Sequence, residues 1–155
     1  MQLSKNSQKV QDHLNSFGLK IEVVELSEST RTAQEAAQAA GCDVGQIVKS
    51  LVFRSGDHAI LFLVSGKNQL DAHKVSQIIG KPIAKADADF VKEKTGYAIG
   101  GVPPVAHTIT IETYIDQDLL KYGDVWAAAG TPHAIFRLKS NDLPHLTGGR
   151  VIEVS

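Results

Sequence analysis

Hydrophobic and polar positions change their period several times along this chain, and each change marks an element. Val10, Leu14 and Phe17 fall on one face of a helix that Ser4 can cap and Gly18 can stop. Residues 21–26 read as a strand. Thr32-Ala33-Gln34-Glu35 has the spacing of a capping box, and the alanine-rich helix it opens runs to Gly41. Residues 47–54 and 58–64 are strongly β-forming, and Ser55-Gly56-Asp57 between them predicts an antiparallel hairpin. Asp71 and Asp87 are placed to cap short helices ending near Gly80 and Gly96. Further strands are expected at 107–111, 125–129, 134–138 and 151–154, with short helices around 115–122 and after Ser140. Hairpins interspersed with helices predict an α+β fold: a mixed, largely antiparallel, barrel-like sheet with surrounding helices. No linker, repeat or low-complexity tract interrupts the pattern, so a single domain is expected over residues 1–155.

Composition narrows the function classes. The chain is 43% hydrophobic and 21% charged, an ordinary globular balance. Sixteen basic and seventeen acidic residues give a net charge of −1, which argues against broad binding to duplex DNA. Cys42 is the only cysteine, so an internal disulfide or a cysteine-based zinc site is excluded; an idle thiol in a cytoplasmic protein is expected. No apolar run approaches the roughly 20 residues a membrane span needs, and the polar N-terminus lacks a signal-peptide core. His13, His58, His73, His107, His133 and His145 show no metal-ligand pairing, so neither a metal nor another cofactor is expected.

The candidate chemistry lies in two loops and one strand. Gly100-Gly101-Val102-Pro103-Pro104 is permissive at its glycines and stiff at its prolines, so it can present bare amides to a ligand. Alternation along 47–53 puts Lys49 on a face with Ile47, Leu51 and Phe53. There it either snorkels to water or waits in a sheltered cleft for an anion. Ser50 points to the other face and joins such a site only if the strand bends. Gly130-Thr131-Pro132-His133 is a tight turn whose histidine can reach a loop rim. Asp116, Asp118 and Asp124, with Glu112 just before them, are expected to form a solvated acidic face. Six lysines against four acids between Lys67 and Lys94 could form a modest positive collar near the Gly-Pro loop. No Gly-x-Ser-x-Gly elbow and no phosphate-binding P-loop is present, so any catalysis should come from positioning and backbone donors.

Taken in order, several short motifs resemble the YbaK-type editing domains, also called prolyl-tRNA synthetase-associated or insertion-type domains. They are Thr32-Ala33-Gln34-Glu35-Ala36-Ala37, Gln46 to Phe53, Gly96-Tyr97, Gly100 to Pro104, Val125-Trp126-Ala127-Ala128-Ala129-Gly130 and Leu146-Thr147-Gly148-Gly149. The resemblance implies a free-standing hydrolase that removes a wrongly attached amino acid from tRNA, most plausibly alanine or cysteine from tRNA for proline. It implies that Lys49 anchors the charged 3′ end and that Gly101 and Val102 act through their amides. Gly100, Pro103 and Pro104 would complete that loop, Thr32 and its neighbours would help wall the amino-acid pocket, Ser50 would also contact the substrate, and Gly130 and His133 would lie in a second rim loop. The expected partners are the acceptor end of aminoacyl-tRNA and an aminoacyl-tRNA synthetase. A non-catalytic module that binds charged tRNA or a synthetase is the alternative, and a small-ligand pocket unrelated to tRNA is a third reading that leaves Lys49 unexplained.

Overall fold

The computed structural model describes residues 2–155 and contains eight strands: β1 (Val23–Glu25), β2 (Ile47–Ser55), β3 (His58–Ser65), β4 (Ala84–Lys85), β5 (Glu112–Asp116), β6 (Asp124–Ala128), β7 (Ala134–Lys139) and β8 (Arg150–Ile152). They form one mixed sheet in the order β1-β7-β6-β2-β3-β5-β8, with β4 attached to β2. The expected hairpin is its centre. β2 and β3 pair antiparallel from Val48↔Ser65 to Ser55↔His58, and Gly56 turns the chain at φ +61°. β1–β7, β6–β7 and β2–β4 are antiparallel too, whereas β2–β6, β3–β5 and β5–β8 are parallel. The fold class is therefore the expected mixed α+β. The sheet is not closed into a barrel, since β1 and β8 end the order at opposite edges.

Polar caps set the helices where the sequence places them. Ser4, Thr32, Asp71 and Asp87 each accept a backbone N–H in the first turn of α1 (Lys5–Ser16), α2 (Ala33–Ala40), α3 (Ala72–Ile79) and α4 (Ala88–Thr95). A short α5 (Leu143–Thr147) follows β7. Alternation along β3 feeds two cores. Leu61 and Leu63 join Val10, Leu14, Val91, Val102 and Phe136 on one side of the sheet, and Ile60, Phe62 and Val64 join Val75, Tyr114 and Ile152 on the other. A third cluster packs Ala36 and Ala37 of α2 on Ile47, with Trp126 and Cys42 at its margin.

Two elements differ from expectation. Residues 107–111 form no strand; the strand is β5, beginning at Glu112, where the chain comes into register with Ile60. Ala106 at φ +67° and the bond from Thr108 N to the Thr95 carbonyl (3.0 Å) hold the earlier residues away from the sheet, and Ile109 is half exposed. The helix expected around 115–122 is a 3₁₀ turn, Gln117–Lys121, because β5 runs on through Ile115 and Asp116 then caps the turn at the Asp118 N–H.

One gap in the pairing prepares the site. On the side of β2 away from β3, β6 pairs with Ile47 and Val48, and β4 pairs with Phe53 and Arg54. Residues 49–52 between them have no strand partner on that edge.

Candidate functional site

A cleft of about 610 Å³ opens over this gap. β2 gives it Val48, Lys49, Ser50 and Leu51; the loop after β3 gives Lys67 and Asn68; the Gly-Pro loop gives Ile99, Gly100 and Val102. Thr30, Arg31 and Thr32 roof it at the start of α2, and Trp126, Ala127 and Ala128 of β6 close the far side. Because the backbone edge itself faces the cleft, side chains from both faces of β2 reach it. Lys49 and Ser50 therefore share one cavity although strict alternation separates them.

Lys49 is held rather than loose. Its Nζ donates to the Asn68 carbonyl at 2.5 Å, and the Asn68 side-chain amide donates to Asp116 Oδ2 and Asp118 Oδ2, both at 2.8 Å. Burial keeps the Lys49 ammonium below the usual lysine range, partly offset by the Asp116 carboxylate. One hydrogen bond to protein leaves further donors for an anion. The solvated acidic face is corrected here. Asp116 is 1% exposed and also accepts the Ser65 and Asp118 amides, so it is an internal anchor; Asp118 and Asp124 instead pair with Lys121 and Lys139.

The glycine loops are stitched together. Gly130 N–H donates to the Gly101 carbonyl at 2.9 Å, and a Cβ at Gly101 would come within 2.8 Å of the Thr131 backbone. Gly100, at φ +93°, lies against the Arg31 side chain. The Gly101 amide donates to the Ala98 carbonyl at 3.0 Å, closing the turn. The amides of Gly100 and Val102 have no acceptor among the described residues, which leaves them as the loop's available donors. Below the loop, His107 Nε2 donates to the Pro103 carbonyl at 2.7 Å, and burial keeps this imidazole below the usual histidine range. The buried Tyr97 hydroxyl donates to the Ala106 carbonyl at 2.8 Å.

Of the residues singled out from sequence, Lys49, Ser50, Thr32, Gly100 and Val102 line the cleft. Gly101, Pro103 and Pro104 are buried and do not line it, and Gly130 is tied to Gly101 from the next loop. His133 faces away: its Nδ1 meets the Glu28 carbonyl at 2.9 Å, and its backbone carbonyl accepts from Leu26 N, so it ties down the segment leading to Thr30. Lys67 belongs to the lysine collar, and Thr30 and Arg31 are neighbours of Thr32, but sequence reasoning named none of them singly and missed Asn68 and Trp126. Trp126, the one tryptophan, sits inside a motif already noted; Asn68 carries no local signal, since a hairpin-end loop becomes part of a site only through tertiary contact.

A smaller, mainly apolar recess of about 240 Å³ adjoins the cleft through Ser50, Leu51, Ile99 and Val102, and Phe53, Ala86 and Val91 line it together with Lys85. The assembled site thus offers a cationic end, free main-chain donors and an apolar recess. Comparison with known proteins meets this geometry from several directions. Over 143 residues the chain is 30% identical to the YwhH protein of Bacillus subtilis (strain 168), covering 92% of this chain and 91% of that one. It is 33% identical over 78 residues to the proline–tRNA ligase of Thermosipho melanesiensis, a match spanning 50% of this chain and 14% of the ligase. A crystal structure described as a candidate trans-editing enzyme for prolyl-tRNA synthetase superposes with a TM-score of 0.94 at 52% identity, covering 99% of both chains. The sequence profile of the aminoacyl-tRNA editing domain matches residues 27–146, from the roof of the cleft through α5. The chain belongs to the aminoacyl-tRNA editing domain family.

Proposed function

We propose that this chain acts in trans as a deacylase, releasing a small, wrongly attached amino acid such as alanine or cysteine from tRNA for proline. The observation that carries the reading is the convergence of Lys49 with Gly100 and Val102 on one cleft, from positions some fifty residues apart. In this reading the Lys49 ammonium, with Arg31 and Lys67 near it, meets the phosphate of the acceptor end through charge-assisted hydrogen bonds. The amides of Gly100 and Val102 polarise the ester carbonyl and take up charge as it develops on that oxygen. In comparable settings one such donor contributes about 2.7–4 kcal/mol. The apolar recess beside Val102 receives the side chain of the amino acid.

An aminoacyl ester is already activated, so an oriented water and a stabilised oxyanion suffice. No histidine, aspartate or glutamate lines the cleft, which fits a reaction whose base comes from the substrate, the neighbouring ribose hydroxyl of the terminal nucleotide. A synthetase pocket separates amino acids differing by one methylene by only about 1–3 kcal/mol, and a second hydrolytic site restores fidelity. The test is a panel of tRNAs charged with several amino acids and incubated with the full chain. Release of alanine or cysteine from tRNA for proline, with correctly charged tRNA spared, is the expected result. Binding without release overturns the deacylase reading in favour of a non-catalytic charged-tRNA or synthetase-binding module.

A further inference from the structure

Two side-chain oxygens in the chain are shut from solvent and bonded to nothing among the described residues: Thr30 Oγ1 and Ser50 Oγ. Both residues line the same cleft, Thr30 from its roof and Ser50 from the β2 edge, and Thr30 is only 5% exposed. A buried hydroxyl without a partner is costly, so two on one cleft point to a ligand that completes them. From these two orphan hydroxyls on one cleft we infer that Thr30 and Ser50 form a subsite for the α-amino group of the bound aminoacyl ester, taken in its uncharged form. The inference rests on the deacylase reading above.

The choice of group follows from donor and acceptor counting and from charge. A hydroxyl both donates and accepts, and a neutral amine offers one lone pair and two N–H donors, so one hydroxyl can donate to the nitrogen while the other accepts from it. An ammonium would seek a carboxylate, and none lines the cleft. The charged groups there are Arg31 before α2, Lys49 on β2 and Lys67 after β3; the Gly-Pro loop and β6 bring none. The acids beside these residues are occupied: Glu35 with the Thr32 hydroxyl, Asp43 with the Gly45 amide, and Asp116 and Asp118 with Asn68. Lys85 of β4 adds a cation where the recess meets Ser50, and the cations around an amine that ordinarily titrates at about 7.7–8.0 favour its neutral form. Ser50 also borders the apolar recess, which places the amine next to the side-chain pocket as an α-carbon requires.

The test uses the full chain, the amino acid it releases fastest, and the desamino acyl analogue of that amino acid on the same tRNA. Thr30→Val and Ser50→Ala should each lower kcat/KM for the aminoacyl substrate roughly tenfold more than for the desamino substrate, about one neutral hydrogen bond. Thr30→Ser should restore the rate. After subtraction of uncatalysed hydrolysis, wild-type kcat/KM should fall on acidification with the aminoacyl substrate only. Melting temperatures no lower than wild type establish that the variants fold. Equal losses on both substrates, a loss on neither, or identical pH profiles overturn the amine subsite while leaving the deacylase reading standing. A wild-type chain that releases no acyl group from any tRNA removes both, a separate and recognisable outcome.

Discussion

The Asn68 carbonyl holds the Lys49 ammonium at 2.5 Å while the Asn68 side chain is itself gripped by Asp116 and Asp118. Lys49 is thus positioned through a relay that begins at a buried carboxylate. Asp116→Ala would strip acceptors from the Ser65 and Asp118 amides and from Asn68 together. Hydrogen bonds to charged groups contribute about 1.5–3 kcal/mol each, so a stability loss of at least about 2 kcal/mol is expected in urea denaturation. Asn68→Ala removes only the side-chain grip. It should raise KM for charged tRNA several-fold with a smaller effect on stability, and an unchanged KM would break the relay.

Lys49→Ala tests the anion anchor directly. The side chain is partly exposed and makes one bond to protein, so the variant should fold with a melting temperature within a few degrees of wild type. Deacylation should drop by roughly 10–100-fold, the equivalent of one charge-assisted hydrogen bond. Full activity in a folded Lys49→Ala chain would remove Lys49 from the site.

The depressed Lys49 pKa gives binding and stability opposite responses to alkali. The unfolded chain holds this proton more tightly than the folded one, so between the lowered folded pKa and the ordinary value near 10.4 this residue's contribution to stability rises with pH. Over the same window the ammonium is lost and affinity for the charged end should fall. A non-hydrolysable amide-linked aminoacyl-tRNA should therefore bind more weakly as pH climbs, at lower pH than an ordinary lysine would dictate. Lys49→Arg should flatten the profile, because a guanidinium stays protonated.

Gly101→Ala would drive a methyl against the Thr131 backbone, where no flexible side chain can yield. Overpacking of this kind costs about 1–3 kcal/mol, and here it pushes apart the two loops joined by the bond from Gly130 N–H to the Gly101 carbonyl. Urea denaturation should show the loss, and turnover should fall because Val102 moves with its neighbour. Thr131→Gly should not restore it, since the clash is with main chain.

Much of this architecture is local and was readable as such. Ser4, Thr32, Asp71 and Asp87 cap helices because a side-chain oxygen three residues before an amide needs nothing distant. The hairpin and Lys49 were legible for the same reason. The start of β5 was not, because 107–111 and Glu112–Asp116 are both plausible strands and only register with β3 decides between them. Asp116 reads as one more surface acid until β3 brings the Ser65 amide to it. Gly101 stands out in sequence, but its amide closes a turn with Ala98, and the available donors are its neighbours.

The interruption between β4 and β6 has a bearing on how this protein behaves in a crowded solution. A bare strand border ordinarily invites other chains to add themselves to a sheet. Here the uncovered stretch is four residues, shorter than a typical strand of about 5–6, and it is flanked by β4 and β6. Flanked on both sides, the notch gives a neighbouring polypeptide at most four residues to align with, while a guest the size of a single amino acid needs fewer. It leaves main-chain polarity on offer over a stretch that limits how far another strand could extend the sheet there.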